Sequence, residues 1–286
     1  MEKITPRIDL AFKKIFGVEE NKDLLISLIN ATVSPEDQVC DVTLLNPYNA
    51  KSFRSDKLSI LDVKAVGETG KIFNIEIQIT NEADYDKRAL YYWAKLYTDQ
   101  LKAAQHYSTL NKAIGIHILN FTSIPDSKKY HNVFHITEKE SGMPYFSDLE
   151  LHTVELVKFS NDPNEDLSSL LKKVKNELDI WIAFLTRHDL LKDNLPEAIA
   201  TDSLKKALHV LDTMKFTDEE RMAYEDHLKW LRIEANTIEK FQKEAKEKGR
   251  QEVKIEIAKT MLEKGYAIDD IVLLTGLSTA EIKEIM

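Results

Sequence analysis

The chain is poor in the residues that would make it anything but an ordinary globular protein. It has one cysteine, Cys40, among 286 residues, so no internal disulfide can form and an oxidising compartment is not implied. With no Cys/His arrangement around it, Cys40 reads as a core residue. Eight glycines and seven prolines are few, which favours long regular elements over loops. No run approaches the ~18 uncharged apolar residues of a membrane span. The opening MEKITPRIDLAFKKIF carries charges through its length, so it does not read as a signal peptide. A cytoplasmic protein is the default. Positive charge is not in excess: the net charge is −9. That weighs against coating DNA in bulk, because phosphate contacts need Lys and Arg, but a single local groove stays compatible with it. There is no Gly-rich phosphate loop. The eight histidines form no ligand set, and His131 and His135 fall four apart in an expected strand, so zinc is not expected.

What the chain does have centres on residues 58–79, LSILDVKAVGETGKIFNIEIQI. Two apolar-rich runs flank GETG, which predicts a β-hairpin turning near Thr69. Asp62 interrupts the first run, and Glu76 and Gln78 interrupt the second. Period-two alternation puts Glu76 and Gln78 on one face. Positions 62 and 76 are each seven residues from the turn, so they should stand opposite one another. Two opposed carboxylates in a half-buried sheet repel, and each is costly to bury unpaired. A divalent cation between them would resolve the conflict. A polar cross-strand cluster on a solvated sheet face is the other reading of the same residues.

Around the hairpin, periodicity predicts helices over residues 7–16 and 20–31, and a strand over 40–46. A long helix over 82–110 follows, with Leu90, Trp93, Leu96, Tyr97 and Leu101 on one stripe. Strands are expected over 113–121, 131–137 and 149–157. The order implies an α/β layer with a mixed sheet flanked by helices. From Pro163 the pattern is helical, including a run from Thr217 to about Lys248 that mixes charges with few apolar anchors. The tail predicts a helix ending at Gly265, a second near Ile268–Leu274, a turn at Gly276 and a third helix capped by Ser278 with Glu281. That is the outline of a helix-turn-helix. Its last helix offers Glu281 and Glu284 against Lys283, so packing or self-association fits its charge better than groove reading. Three regions follow: 1–160, 161–249 and 250–286.

DLAFKKIFG, LDVKA, NIEIQ, RALYYWAKLYTDQL and AIGIHILNF together resemble the PD-(D/E)XK nuclease family transposases, over roughly residues 5–240, and the tail resembles that family's usual ending. The resemblance implies a restriction-endonuclease-like core cutting DNA with Mg²⁺, or Mn²⁺ in its place. By position, Asp62 and Glu76 would hold the metal, the Ile77 carbonyl would add a ligand, and Asp9 would add one from the first helix. Gln78 stands where the superfamily usually has Lys. It can orient a water but brings no positive charge, and Lys64, with the parity of Asp62, could supply that charge. Arg88, Tyr92 and Lys95 lie about one turn apart on the long helix. They could grip and stack DNA, while packing explains Arg88 and Tyr92 equally well and Trp93 better. The helical C-terminal half offers a route to a homodimer. The alternatives are a nuclease fold of little activity that binds DNA or protein, and a regulator that binds DNA through its tail.

Overall fold

The strands fix the architecture. A computed structural model describes residues 4–46, 62–81, 84–102 and 104–285, with the backbone alone for Asp62, Glu234, Glu239 and Gln242. Residues 58–61 of the expected hairpin and 82–83 and 103 of the expected helix lie outside the described residues. The six strands are β1 (Val42–Leu44), β2 (Asp62–Gly67), β3 (Ile72–Gln78), β4 (Ala113–Leu119), β5 (His131–Thr137) and β6 (Pro144–Glu155). They form one sheet in the order β1-β2-β3-β4-β6-β5. β3, β4 and β6 run parallel, and the outer pairings are antiparallel. The sheet is therefore mixed, as expected from the element order.

β2 and β3 pair as the predicted hairpin, with Asp62 opposite Glu76. The three-residue loop Glu68–Thr69–Gly70 closes it: the Gly67 amide donates to Lys71 O (2.9 Å) and the Gly70 amide to Gly67 O (2.9 Å). Gly70 adopts φ +86°. This is the left-handed position a three-residue hairpin loop requires, and glycine takes it without strain.

One sheet face carries the main core. Phe73, Ile75 and Ile77 of β3 and Ile114, Ile116 and Ile118 of β4 are all buried there. Against them pack α1 (Asp9–Phe16), α2 (Lys22–Thr32), α4 (Leu156–Phe159), α6 (Glu177–Lys192) and α7 (Asp202–Thr213). Phe12, Phe16, Trp181 and Phe184 supply its aromatic centre. Each such side chain stabilises the fold by roughly 1.5–3 kcal/mol on burial. The opposite face is covered by α3 (Tyr85–Thr98), where Trp93 and Leu96 pack on Ala113 and Leu149. The Trp93 indole N–H donates to Ala113 O at 2.8 Å.

The chain divides into two units, Met1–Tyr224 and Glu225–Met286. The first also contains α5 (Leu167–Lys173). The helix α8 (Asp218–Glu263) contributes residues to both units and includes Gly249. In the second unit, α9 (Ile268–Thr275) and α10 (Thr279–Ile285) pack with the end of α8 around Ala258, Met261, Ile271, Leu277 and Ile282. Gly276 ends α9 at φ +68°. The predicted capping box is present: the Ser278 amide donates to Glu281 Oε2 (2.7 Å), and the Glu281 amide to Ser278 Oγ (3.2 Å). Among the described residues, no helix is long and apolar enough to cross a membrane.

Three expectations need correction. α3 stops at Thr98 rather than running to 110, and Leu90 of its predicted stripe is exposed. The Gln100 side chain makes two hydrogen bonds to the Asn111 backbone, at 2.9 and 3.0 Å. These tie off the loop, so the absence of Gly and Pro did not suffice to extend the helix. Cys40 is exposed rather than a core residue. It precedes β1 in a segment whose amides, Cys40 and Asp41, donate to the Glu68 carboxylate. β6 is longer than expected, beginning at Pro144, because its first residues pair with β5 ahead of the point where β4 begins.

Candidate active site

Alternation along β3 divides its residues cleanly. Phe73, Ile75 and Ile77 enter the main core, so Asn74, Glu76 and Gln78 face the α3 side. Glu76 is 5% exposed. A carboxylate this buried needs partners, and α3 provides one. Arg88 Nη2 donates to Glu76 Oε1 at 3.2 Å and to Gln78 Oε1 at 2.7 Å. The Gln78 amide nitrogen donates to Thr80 O at 3.2 Å. Arg88 is thus turned onto the two β3 side chains and crosses the Tyr85 ring, 5.5 Å from its centroid.

Asp9, at the first turn of α1, is close enough to feel the same carboxylate. Burial first, and the Glu76 charge second, push Asp9 up to about 7, against the opposing pull of its backbone hydrogen bond and Arg88. Two acidic groups therefore share one charged neighbourhood, and the β2 backbone brings Asp62 opposite Glu76. Among the described residues, no group of three His, Cys, Asp or Glu side chains is arranged to hold a metal. The Asp62 side chain lies outside the described residues. The donor set that is described, all carboxylate and amide oxygen, suits a hard cation such as Mg²⁺. The mutual repulsion recorded by Asp9 is the condition such an ion relieves.

The structure sorts the remaining expected residues into two places. Arg88 lies with Glu76 and Gln78. Lys64, Tyr92 and Lys95 come together instead in a separate pocket of about 260 Å³ on the same side of the sheet. Ile77 has its side chain in the main core.

Two further residues on this face were missed by sequence reasoning. His117 of β4 stands in register with Glu76. Its Nδ1 is 2.7 Å from the Tyr85 hydroxyl and 3.9 Å from Glu76 Oε2. Burial, then the Arg88 and His152 charges, push His117 down to about 4. It is neutral at pH 7, so its approach to Glu76 is not an ion pair. Gly115 makes room for the ring: a Cβ there would lie 3.1 Å from His117 Nε2 and 2.8 Å from Leu151 Cδ2. The usable signal was a lone polar residue inside the apolar run AIGIHIL. Tyr85 carries no such signal, because its role depends on where α3 lands.

A second polar cluster lies on the other sheet face. Glu150 accepts from Lys112 Nζ (2.8 Å) and lies 2.6 Å from His152 Nε2. His152 Nδ1 is 2.9 Å from His131 Nε2. Burial opposes ionisation of Glu150, but the hydrogen bonds from His152 and Lys112 hold it down at about 2. Burial and the His152 charge push His131 down to about 4. The unfolded chain takes up protons on histidine near pH ~6.5, whereas folded His131 and His117 stay neutral to about 4. Between those values the two imidazoles bind more protons in the unfolded state and lower stability as pH falls, and Asp9, raised to about 7 in the fold, offsets part of that loss. Calorimetry should show Tm dropping by several degrees from neutral pH toward pH ~4.5. His131→Gln should flatten that slope. A slope unchanged by His131→Gln would contradict the burial of that imidazole.

The sequence comparisons accord with this geometry. A family model described as "PD-(D/E)XK nuclease family transposase" matches residues 6–241. A second, "Rpn/YhgA-like nuclease family, C-terminal HTH domain", matches residues 251–286. No curated protein and no solved structure matches the chain. The first match spans the sheet, both helical layers and the hairpin that opposes Asp62 to Glu76, and on that evidence the chain belongs to the PD-(D/E)XK nuclease family transposases.

Proposed function

We propose that the chain is a Mg²⁺-dependent DNA endonuclease, with Mn²⁺ as a substitute ion, whose cuts promote recombination or transposition-like events. The observation that carries the reading is the register of Asp62 opposite Glu76, with Asp9 sharing the Glu76 field. Asp62, Glu76, the Ile77 carbonyl and Asp9 are the proposed metal ligands. When bound, the ion supplies an acidified water as nucleophile and neutralises charge on the phosphate.

The protein's own groups do the rest. Gln78 orients the attacking water through its amide. Arg88 holds Gln78 and Glu76 in place and can turn a guanidinium N–H to a phosphate oxygen. Lys64 supplies cationic charge in place of the Lys usual at position 78. Tyr92 and Lys95 extend the DNA-binding surface along α3. The enzyme works in the cytoplasm, with a homodimer built through the C-terminal helices.

One observation favours a second reading, a nuclease fold of low activity that works as a binding module. Gln78 is committed to Arg88 and to Thr80 O and brings no charge. Plasmid nicking separates the two. The parent is expected to nick DNA with Mg²⁺ and not with EDTA, and Asp62→Ala is expected to lose the reaction while keeping its melting profile. Cleavage by Asp62→Ala at the parental rate would remove Asp62 from the site. Absence of cleavage by the parent, with intact DNA binding, would favour the binding module.

A further inference from the structure

We infer that the pocket of Lys64, Tyr92 and Lys95 holds one unpaired nucleotide, which makes single-stranded or frayed DNA the preferred substrate. This rests on the nuclease reading above and specifies its substrate. The pocket encloses about 260 Å³, with Leu45, Ile72 and Leu96 as its apolar lining. Lys64 shares strand parity with Asp62, and Ile72 shares it with Glu76. Lys64 is two residues from Asp62, about 7 Å along the strand, and Ile72 four from Glu76, about 13 Å, so the pocket lies beside the proposed metal site on the same sheet face.

Its composition discriminates between ligands. A duplex phosphate needs cations and hydrogen-bond donors, and no apolar floor. A flat base needs an apolar surface and an aromatic ring, and no cations. Both sets converge here: Tyr92 is 44% exposed, its ring held edge-on to Tyr91 at 5.6 Å, and the two lysines complement a phosphate. Asp99 also lines the pocket. It pairs with Lys95 at 3.3 Å, with both side chains more than half exposed. Such a pair contributes little, and Lys95 can exchange it for a phosphate. A base in a duplex is stacked and paired, and extruding it costs a few kcal/mol, so a strand already unpaired fills the pocket at lower cost.

The test is fluorescence anisotropy on the full chain in EDTA at low salt, with a labelled oligonucleotide single-stranded and then annealed. The single strand is expected to bind at least tenfold more tightly than the duplex. Tyr92→Ala should weaken single-strand binding by roughly tenfold, within the range for one stacked base, and weaken duplex binding by a smaller factor, which narrows the gap between the two DNA forms. Tyr92→Phe should bind as the parent does. Lys64→Ala should weaken binding and lower the salt slope by about one. Equal affinity for the two DNA forms, or unchanged single-strand binding by Tyr92→Ala, would overturn the inference. Because EDTA removes any need for metal, failure here is separable from failure of the nuclease reading, which is decided by Mg²⁺-dependent nicking.

Discussion

Glu76→Gln is expected to yield a folded protein that neither binds Mn²⁺ nor cuts DNA. The substitution keeps the shape and removes the charge of a buried acidic side chain at the candidate site. Losing even an outer-shell partner of a metal costs about 10- to 100-fold in affinity or activity, so loss of the carboxylate proposed as a direct ligand should exceed about 100-fold in cleavage rate. Folding should be spared. The Glu76 charge contributes to the rise of Asp9 to about 7, and removing it relieves that repulsion. Arg88 retains its bond to Gln78 Oε1. Isothermal calorimetry with Mn²⁺ and a nicking assay would decide the matter, and a titration curve like the parent's would sink the metal assignment.

Arg88→Met should destabilise the metal-free protein and make it unusually responsive to Mg²⁺. The guanidinium is a cation bonded to Glu76. Its removal leaves Glu76 and Asp9 in one field with less compensation. Breaking a buried pair by removing one partner costs about 3–5 kcal/mol. With the Arg88 side chain 25% exposed, about 2 kcal/mol is the better expectation, discounted for solvent screening. For a domain of this size that corresponds to a Tm lower by roughly 4–8 °C in EDTA. Ligand linkage then gives the contrast: an ion that binds the folded site stabilises it as its concentration exceeds Kd. Scanning calorimetry with and without Mg²⁺ should show a larger upward shift for Arg88→Met than for the parent. Equal shifts would mean that Arg88 and the ion do not neutralise the same carboxylates.

Local pattern made the hairpin legible. A turn signal, period-two alternation and two interrupting polar residues were enough to set Asp62 opposite Glu76, because register in a tight hairpin follows from turn length. The capping box at Ser278 and Glu281 was legible for the same reason, since its partners lie three residues apart. The end of α3 was not. It is decided by Gln100 reaching the Asn111 backbone, a contact that periodicity does not encode. Cys40 failed similarly: a small apolar residue carries no mark of which surface its segment will meet.

The sequence by itself determined which residues of the candidate site share one strand pair: Asp62, Glu76, Gln78, and the parity of Lys64. It also determined the family likeness through motifs spread over the first unit. Only the tertiary structure decided which side chains meet them. α3 lands so that Arg88 meets Glu76 and Gln78 while Tyr92 and Lys95 meet Lys64, although all three lie within two turns of one helix. β4 adds His117 through parallel register, and α1 brings Asp9 into the Glu76 field. The physical reason is the range of the forces involved. Turn chemistry and alternation act within a few residues, whereas the packing of a helix across a sheet is settled by apolar surfaces distant in sequence, and the charges are carried to wherever that packing leaves them.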